Sequence, residues 1–221
     1  MKLYIDQNFY DFSLDEFDSM YLGEGLEGVV YQFQGKALKV YNPHSQKTRL
    51  QEDDARRLSE IETKRFHLPK GLLYDSSHRF IGYYTDYITN YSLDHIPRMK
   101  KKDIVDELMV LESDCDTLSD HCVSIEDLHR NNIIYDGKIH IIDPGSYQFE
   151  DGEFVRYLKS NNQRILREFV IDYILAMNLS FKKRATVQKH FEDVEVCSDC
   201  LLDEMKPQET VKSYVKRILD K

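Results

Sequence analysis

Asp127-Leu128-His129-Arg130-Asn131-Asn132, continued by Ile133-Ile134-Tyr135-Asp136-Gly137-Lys138-Ile139-His140-Ile141-Ile142-Asp143, is the stretch on which the reading of this chain turns. Ile133 to Tyr135 is a short apolar strand, Asp136-Gly137 signals a two-residue hairpin turn, and Lys138 to Ile142 is the return strand. A two-residue turn pairs Tyr135 with Lys138 and Asn132 with Ile141. Asp143 is then expected to emerge at the end of the hairpin where Asn132 sits. An amide oxygen and a carboxylate eleven positions apart are thereby brought together. These are the oxygen donors that a hard cation such as Mg²⁺ takes while keeping several waters. Asp127, five residues before Asn132 in the same loop, is placed to accept a proton from a hydroxyl near that cation.

A second motif lies far upstream, in Leu22-Gly23-Glu24-Gly25-Leu26-Glu27-Gly28-Val29-Val30-Tyr31. Three glycines at G-x-G-x-x-G spacing serve a dinucleotide-binding loop only when a helix follows. Here Val29 to Phe33 are β-branched and aromatic residues, so they read as a strand. After a turn at Gln34-Gly35-Lys36, Ala37-Leu38-Lys39-Val40-Tyr41 reads as the return strand. Lys39 is flanked by apolar residues, and a buried ammonium needs a partner. Alternation alone equally permits an exposed lysine at that place.

Taken in order, the glycine-rich hairpin, the strand lysine, Asp-x₄-Asn and Asp143-Pro144-Gly145 resemble the protein kinase-like superfamily over about residues 20–145. The resemblance implies an α+β, two-lobed protein kinase-like fold in a single domain over 1–221. An antiparallel N-lobe sheet with one helix would occupy about 1–88, a hinge about 86–92, and a mainly α-helical, shortened C-lobe about 93–221. ATP and Mg²⁺ are the implied cofactors. Gly23, Gly25 and Gly28 would cover the phosphates, and Val30 would pack on the adenine. Lys39 would hold the α/β-phosphates as one of two catalytic residues, the other being Asp127, which orients the acceptor hydroxyl. Thr85 would line the back of the adenine pocket, and Asp86, Tyr87 and Ile88 would bond the base through their main chain. Asn132 and Asp143 would hold the metal. The family's lysine pairs with a helix glutamate, expected on a helix from Thr48 to about Arg65. Asp54, Glu60 and Glu62 are the candidates, and Glu62, between Leu58 and Phe66, is preferred.

The chain departs from the regulated members of that superfamily. Ile125-Glu126 stands where His-Arg precedes the catalytic aspartate, Pro144 replaces a phenylalanine, and no Ala-Pro-Glu follows. A full activation segment and switching by loop phosphorylation are therefore not expected, which suits a small, atypical bacterial-type member. Asp127-Leu128-His129 is more similar to aminoglycoside- and lipid-type kinases. The implied reaction is transfer of the γ-phosphate of ATP to a hydroxyl, with a Ser/Thr-type protein acceptor preferred over a small molecule. A nucleotide-binding pseudokinase and an AMP-transferring enzyme are the alternatives.

The remaining features bound the answer. With 221 residues, 41% hydrophobic and 31% charged, the chain is long enough for a sizeable buried core. A net charge of −9 argues against nucleic-acid and anionic-membrane partners. No run approaches the ~18 apolar residues of a membrane span, and Met1 to Tyr10 does not read as a signal peptide. Cys115 and Cys122 fall on a helical stripe, Cys197-x-x-Cys200 lacks a second pair for a zinc site, and a cytoplasmic location follows. Helices are expected over Asp103–Cys122, Leu158–Met177, Val187–Met205 and Thr210–Lys221, and Lys100 to Lys102 reads as a solvated helix start. His121 and His140 read as structural. By position alone, Asp172 matches the family's aspartate that braces the catalytic loop.

Overall fold

Apolar alternation through the first 86 residues builds one antiparallel sheet. The computed structural model describes residues 1–43, 49–89, 99–126, 128–192 and 199–220. The sheet contains β1 (Lys2–Ile5), β2 (Asn8–Asp11), β3 (Tyr21–Glu24), β4 (Gly28–Phe33), β5 (Lys36–Tyr41), β6 (Gly71–Asp75) and β7 (Phe80–Asp86). Its seven strands run in the order β2-β1-β6-β7-β5-β4-β3. The N-terminal segment is a hairpin followed by helix α1 (Leu14–Ser19). Its turn, Asp6-Gln7, has φ of 50° and 67° without a glycine, so no turn signature announces it. Ser13 and Glu16 close a reciprocal capping box at the start of α1.

Period-two alternation divides the sheet between two cores. Leu38, Leu73 and Tyr84 face outward and are covered by Leu3, Ile5 and Phe17 of the N-terminal hairpin and α1. Tyr41 and Tyr83 face the other way, into the larger core shared with the helices that follow. The hairpin extends the sheet and Phe17 of α1 packs on its outer face, and the inner face is left to meet the rest of the chain.

Helix α2 (Glu52–Leu58) is shorter than the expected span to Arg65. The residues after it are drawn away by stronger partners. Asp114, buried on α3 (Lys101–Asp120), accepts hydrogen bonds from the Lys64 and Arg65 amides at 2.9 and 2.6 Å. The Arg65 guanidinium bonds both oxygens of Glu107, at 3.0 and 3.2 Å. Arg65 O accepts from the Ile141 amide, and Ile141 O accepts from the His67 amide. Segment 64–67 therefore lies as an extra strand against β10, parallel at Phe66 and Ile141. Because Asp114 satisfies two amides at once, Asp114→Ala leaves both part-buried donors without that acceptor. A loss of about 3 kcal/mol is expected, read as a lower denaturant midpoint at unchanged slope; an unaltered midpoint would refute this role.

The hairpin of β9 (Ile133–Tyr135) and β10 (Ile139–Ile141) forms as expected, but its register is one residue off. Tyr135 pairs with Ile139 rather than Lys138. The turn takes in Lys138, whose amide bonds the Asp136 carboxylate at 3.2 Å, and Gly137 adopts φ 112°. Asn132 consequently lies opposite Ile142, whose amide it accepts at 2.8 Å. Asp143 follows immediately.

A line of polar groups stitches this hairpin to segment 64–67. Asp136 Oδ1 bonds His140 Nε2 at 2.9 Å, and His140 Nδ1 meets His67 Nε2 at 2.9 Å. With each ring donating through Nε2, both bonds run toward the carboxylate end. Burial, followed by the neighbouring His140, lowers the His67 pKa from 6.5 to about 4. The folded value lies below the unfolded one, so this contribution is complete above pH 6.5 and lost as the pH falls toward 4. Between those limits His67→Gln is expected to lose about 2 kcal/mol less than the parent. Parallel thermal melts across that range check it, and identical pH profiles would refute it.

Helices α3 and α4 (Val155–Asn178) pack together through Leu108, Leu111, Leu118, Leu166 and Val170. Strands β8 (Val123–Ser124) and β11 (Gln148–Phe149) pair antiparallel, returning the chain quickly after Gly145. Of the helix expected over 187–205, the described residues form α5 (Phe181–Glu192) and α6 (Asp199–Glu204), and 193–198 lie outside the described residues. α7 (Val211–Leu219), capped by Thr210, buries Val211, Tyr214 and Val215. The Lys101 and Lys102 amides bond the carbonyls of Glu209 and Pro207, so the lysine run starts α3. Among the described residues no helix is long and apolar enough to cross a membrane. Cys115 and Cys122 are free thiols; Cys197 lies outside the described residues.

Candidate active site

Strand pairing fixes where Lys39 points. Lys39 is directly opposite Val30 on β4 and Tyr83 on β7, so the three share the sheet's inner face. Only 8% of Lys39 is exposed. Its ammonium donates to Glu27 Oε2 at 2.7 Å and to Asp143 Oδ1. The Tyr83 hydroxyl donates to the same Asp143 oxygen at 3.3 Å. Burial, with Asp143 beside it, pushes the Tyr83 phenol well above its ordinary range and keeps it a donor. Asp143 takes φ 63°, a left-handed conformation that aspartate tolerates better than most residues. The buried lysine thus has its partners, and they come from two distant parts of the chain.

The lysine's partner is a correction to the sequence reading. Glu62, expected to pair with Lys39 from a helix, is exposed and lies beyond the end of α2. The carboxylate on Lys39 comes instead from Glu27, in the turn between β3 and β4. No spacing rule marks Glu27, because its reach to Lys39 depends on how that turn folds.

The glycine-rich segment forms a hairpin, as expected. The Gly25 amide bonds Gly28 O at 2.9 Å, and Leu26 at the tip is almost fully exposed. Gly28 is sterically required, since a Cβ there would stand 2.3 Å from Val40 O. Gly23 and Gly25 have open space around them. Val30 is half-buried beside Lys39. Thr85 pairs with Ala37, and Asp86 pairs with Lys36 at the end of β7. Tyr87 donates its amide to Gly35 O at 2.9 Å, so that amide is already committed within the sheet. Ile88 follows, half-buried.

At the hairpin mouth Asn132 is buried, and its amide bonds His129 O in a short 3-10 turn. The hairpin register places its main chain beside Ile142 and Asp143. Asp127 lies outside the described residues. Two oxygen-bearing side chains, Asn132 and Asp143, fit a small hard cation that draws its other ligands from water and phosphate. They do not fit a softer, fully protein-ligated metal. Among the described residues no group of three or more His, Cys, Asp or Glu could hold an ion.

The segment 123–125 is braced by Asn162, and Asp172, matched by position to a bracing aspartate, is not among its partners. Asp172 is on the exposed side of α4. Asn162 is fully buried, accepts from the Ile125 amide at 3.1 Å, and donates to Val123 O and Ser119 Oγ at 2.8 and 3.0 Å. A signal existed: Asn162 falls midway between Leu158 and Leu166 on the apolar stripe, where an amide needs a specific partner.

No family model and no curated protein matches this sequence. Solved structures do match its fold. One is the kinase domain of PknI from Mycobacterium tuberculosis, 12% identical, covering 90% of this chain and 93% of that one at a TM-score of 0.50. The chain therefore has a protein kinase-like fold, an antiparallel sheet lobe followed by a mainly helical lobe.

Proposed function

We propose that this chain is an ATP- and Mg²⁺-dependent phosphotransferase that moves the γ-phosphate to a serine or threonine hydroxyl of a protein. The observation that carries the reading is the contact of Lys39, from the sheet, with Asp143, from the hairpin mouth. Those two groups are 104 positions apart in sequence, and the fold brings them together. Lys39 holds the α/β-phosphates by charge-assisted hydrogen bonds. The glycine hairpin covers them and limits water. Asn132 and Asp143 hold Mg²⁺, which supplies charge neutralisation to the phosphates when bound. Asp127 orients the acceptor hydroxyl and takes its proton. Positioning and electrostatics account for most of the rate.

A second acceptor class is favoured by one observation. Residues 146–149 fold straight back onto β8, leaving little chain after Gly145 to support an extended peptide. A small-molecule hydroxyl is the reading this favours. One assay tests both. The protein is incubated with Mg²⁺ and γ-labelled ATP in the presence of itself, generic protein acceptors and a panel of small-molecule alcohols, with mass spectrometry of the products. A gain of one phosphate on serine or threonine supports the protein reading, and a phosphorylated alcohol supports the second. A gain of one AMP, or nucleotide binding with no transfer to any acceptor, overturns both.

A further inference from the structure

Glu27 sits where the glycine hairpin comes down on Lys39, and its position is built rather than incidental. The Glu27 carbonyl accepts from the Asn42 amide at 2.8 Å, and the Leu26 carbonyl accepts from the Asn42 side chain at 3.4 Å. The main chain of the turn is thus pinned to the strand end. The carboxylate reaches over Gly145, where a Cβ would stand 2.6 Å from Glu27 Oε2. Glycine at 145 leaves the space that the carboxylate fills. Asp143 holds the other side of the same ammonium. Two carboxylates against one ammonium leave the cluster with net negative charge, in partly desolvated surroundings where such charge acts strongly.

We propose that Glu27 is a specificity-determining residue of the nucleotide site, admitting the metal-complexed triphosphate and opposing the metal-free one. This rests on the phosphotransferase reading. A phosphate that bonds Lys39 competes with the Glu27 carboxylate for the same ammonium. A metal-free triphosphate brings its full negative charge against Glu27 and Asp143. A triphosphate carrying a divalent cation brings less, and its cation gives the displaced carboxylates a new partner. With its main chain held by Asn42, Glu27 yields by side-chain rotation while the hairpin stays in place.

The test is calorimetric titration of the full chain and of Glu27→Gln with ATP, once in EDTA and once with excess Mg²⁺. The parent is expected to bind ATP about tenfold more weakly in EDTA than with Mg²⁺. Glu27→Gln is expected to gain about tenfold for metal-free ATP and much less with Mg²⁺, the size of one charge-assisted hydrogen bond. An amine-reactive reagent, applied without nucleotide, is expected to label Lys39 faster in the variant, and peptide mass spectrometry reads this. Unchanged or weaker metal-free binding by a folded Glu27→Gln overturns the proposal and leaves the phosphotransferase reading standing. Absence of ATP binding by both proteins in Mg²⁺ overturns the two together.

Discussion

Asp143→Ala is expected to lower phosphoryl transfer by roughly a thousandfold or more while the chain still folds. The carboxylate is the one group that meets the sheet's lysine, the buried Tyr83 hydroxyl and, in the proposed mechanism, the metal. Lys39 keeps Glu27 as a partner after the substitution, so the buried ammonium is not stranded. Alanine at φ 63° costs about 1–2 kcal/mol, small enough for circular dichroism and melting to report a folded protein. Asp143→Asn, which tolerates that backbone conformation, separates the two contributions: it should recover the stability but not the activity. Parental turnover in a folded Asp143→Ala protein would end the mechanism.

Gly82→Ala is expected to have the largest effect on stability. Gly82 pairs with Val40 at the centre of the sheet and has φ 153°. A Cβ there would stand 1.9 Å from Lys39 O and 3.0 Å from Lys39 C. Both are backbone atoms, so no side chain can rotate aside, and β5 and β7 must separate at the very residue that carries the ammonium. The expected cost is about 3 kcal/mol or more, a fall in Tm of about 10 °C. Gly35→Ala is the control. It also has positive φ, 77°, but nothing lies within 4 Å of its Cβ, so about 1 kcal/mol is expected. Equal melting temperatures for the two variants would show that backbone contact at Gly82 is not what the fold depends on.

Local pattern was enough for the sheet strands that carry the glycine hairpin and Lys39, for α3 and α4, and for the β9–β10 hairpin. Each is a run whose own periodicity and punctuation specify it. The same local information misread Asp136-Gly137 as the whole turn. The choice between a two- and a three-residue loop was made by Asp136, which bonds both the Lys138 amide and His140. Helix α2 was overestimated because its apolar spacing continues past Leu58, while the amides of 64 and 65 are claimed by a buried acid fifty residues away.

The sequence by itself determined which chemical groups this protein has and roughly which elements carry them: a strand lysine, a glycine hairpin, and an amide and an acid flanking a second hairpin. Tertiary structure decided which groups meet. That Lys39 takes Glu27 and not Glu62, that Tyr83 reaches Asp143, and that Asn162 braces Ile125 all depend on side chains from remote segments arriving at one place. A buried charge or amide must be satisfied by whatever donor or acceptor the packing delivers. Periodicity along a chain says when such a group will be buried, and only the folded chain supplies its partner.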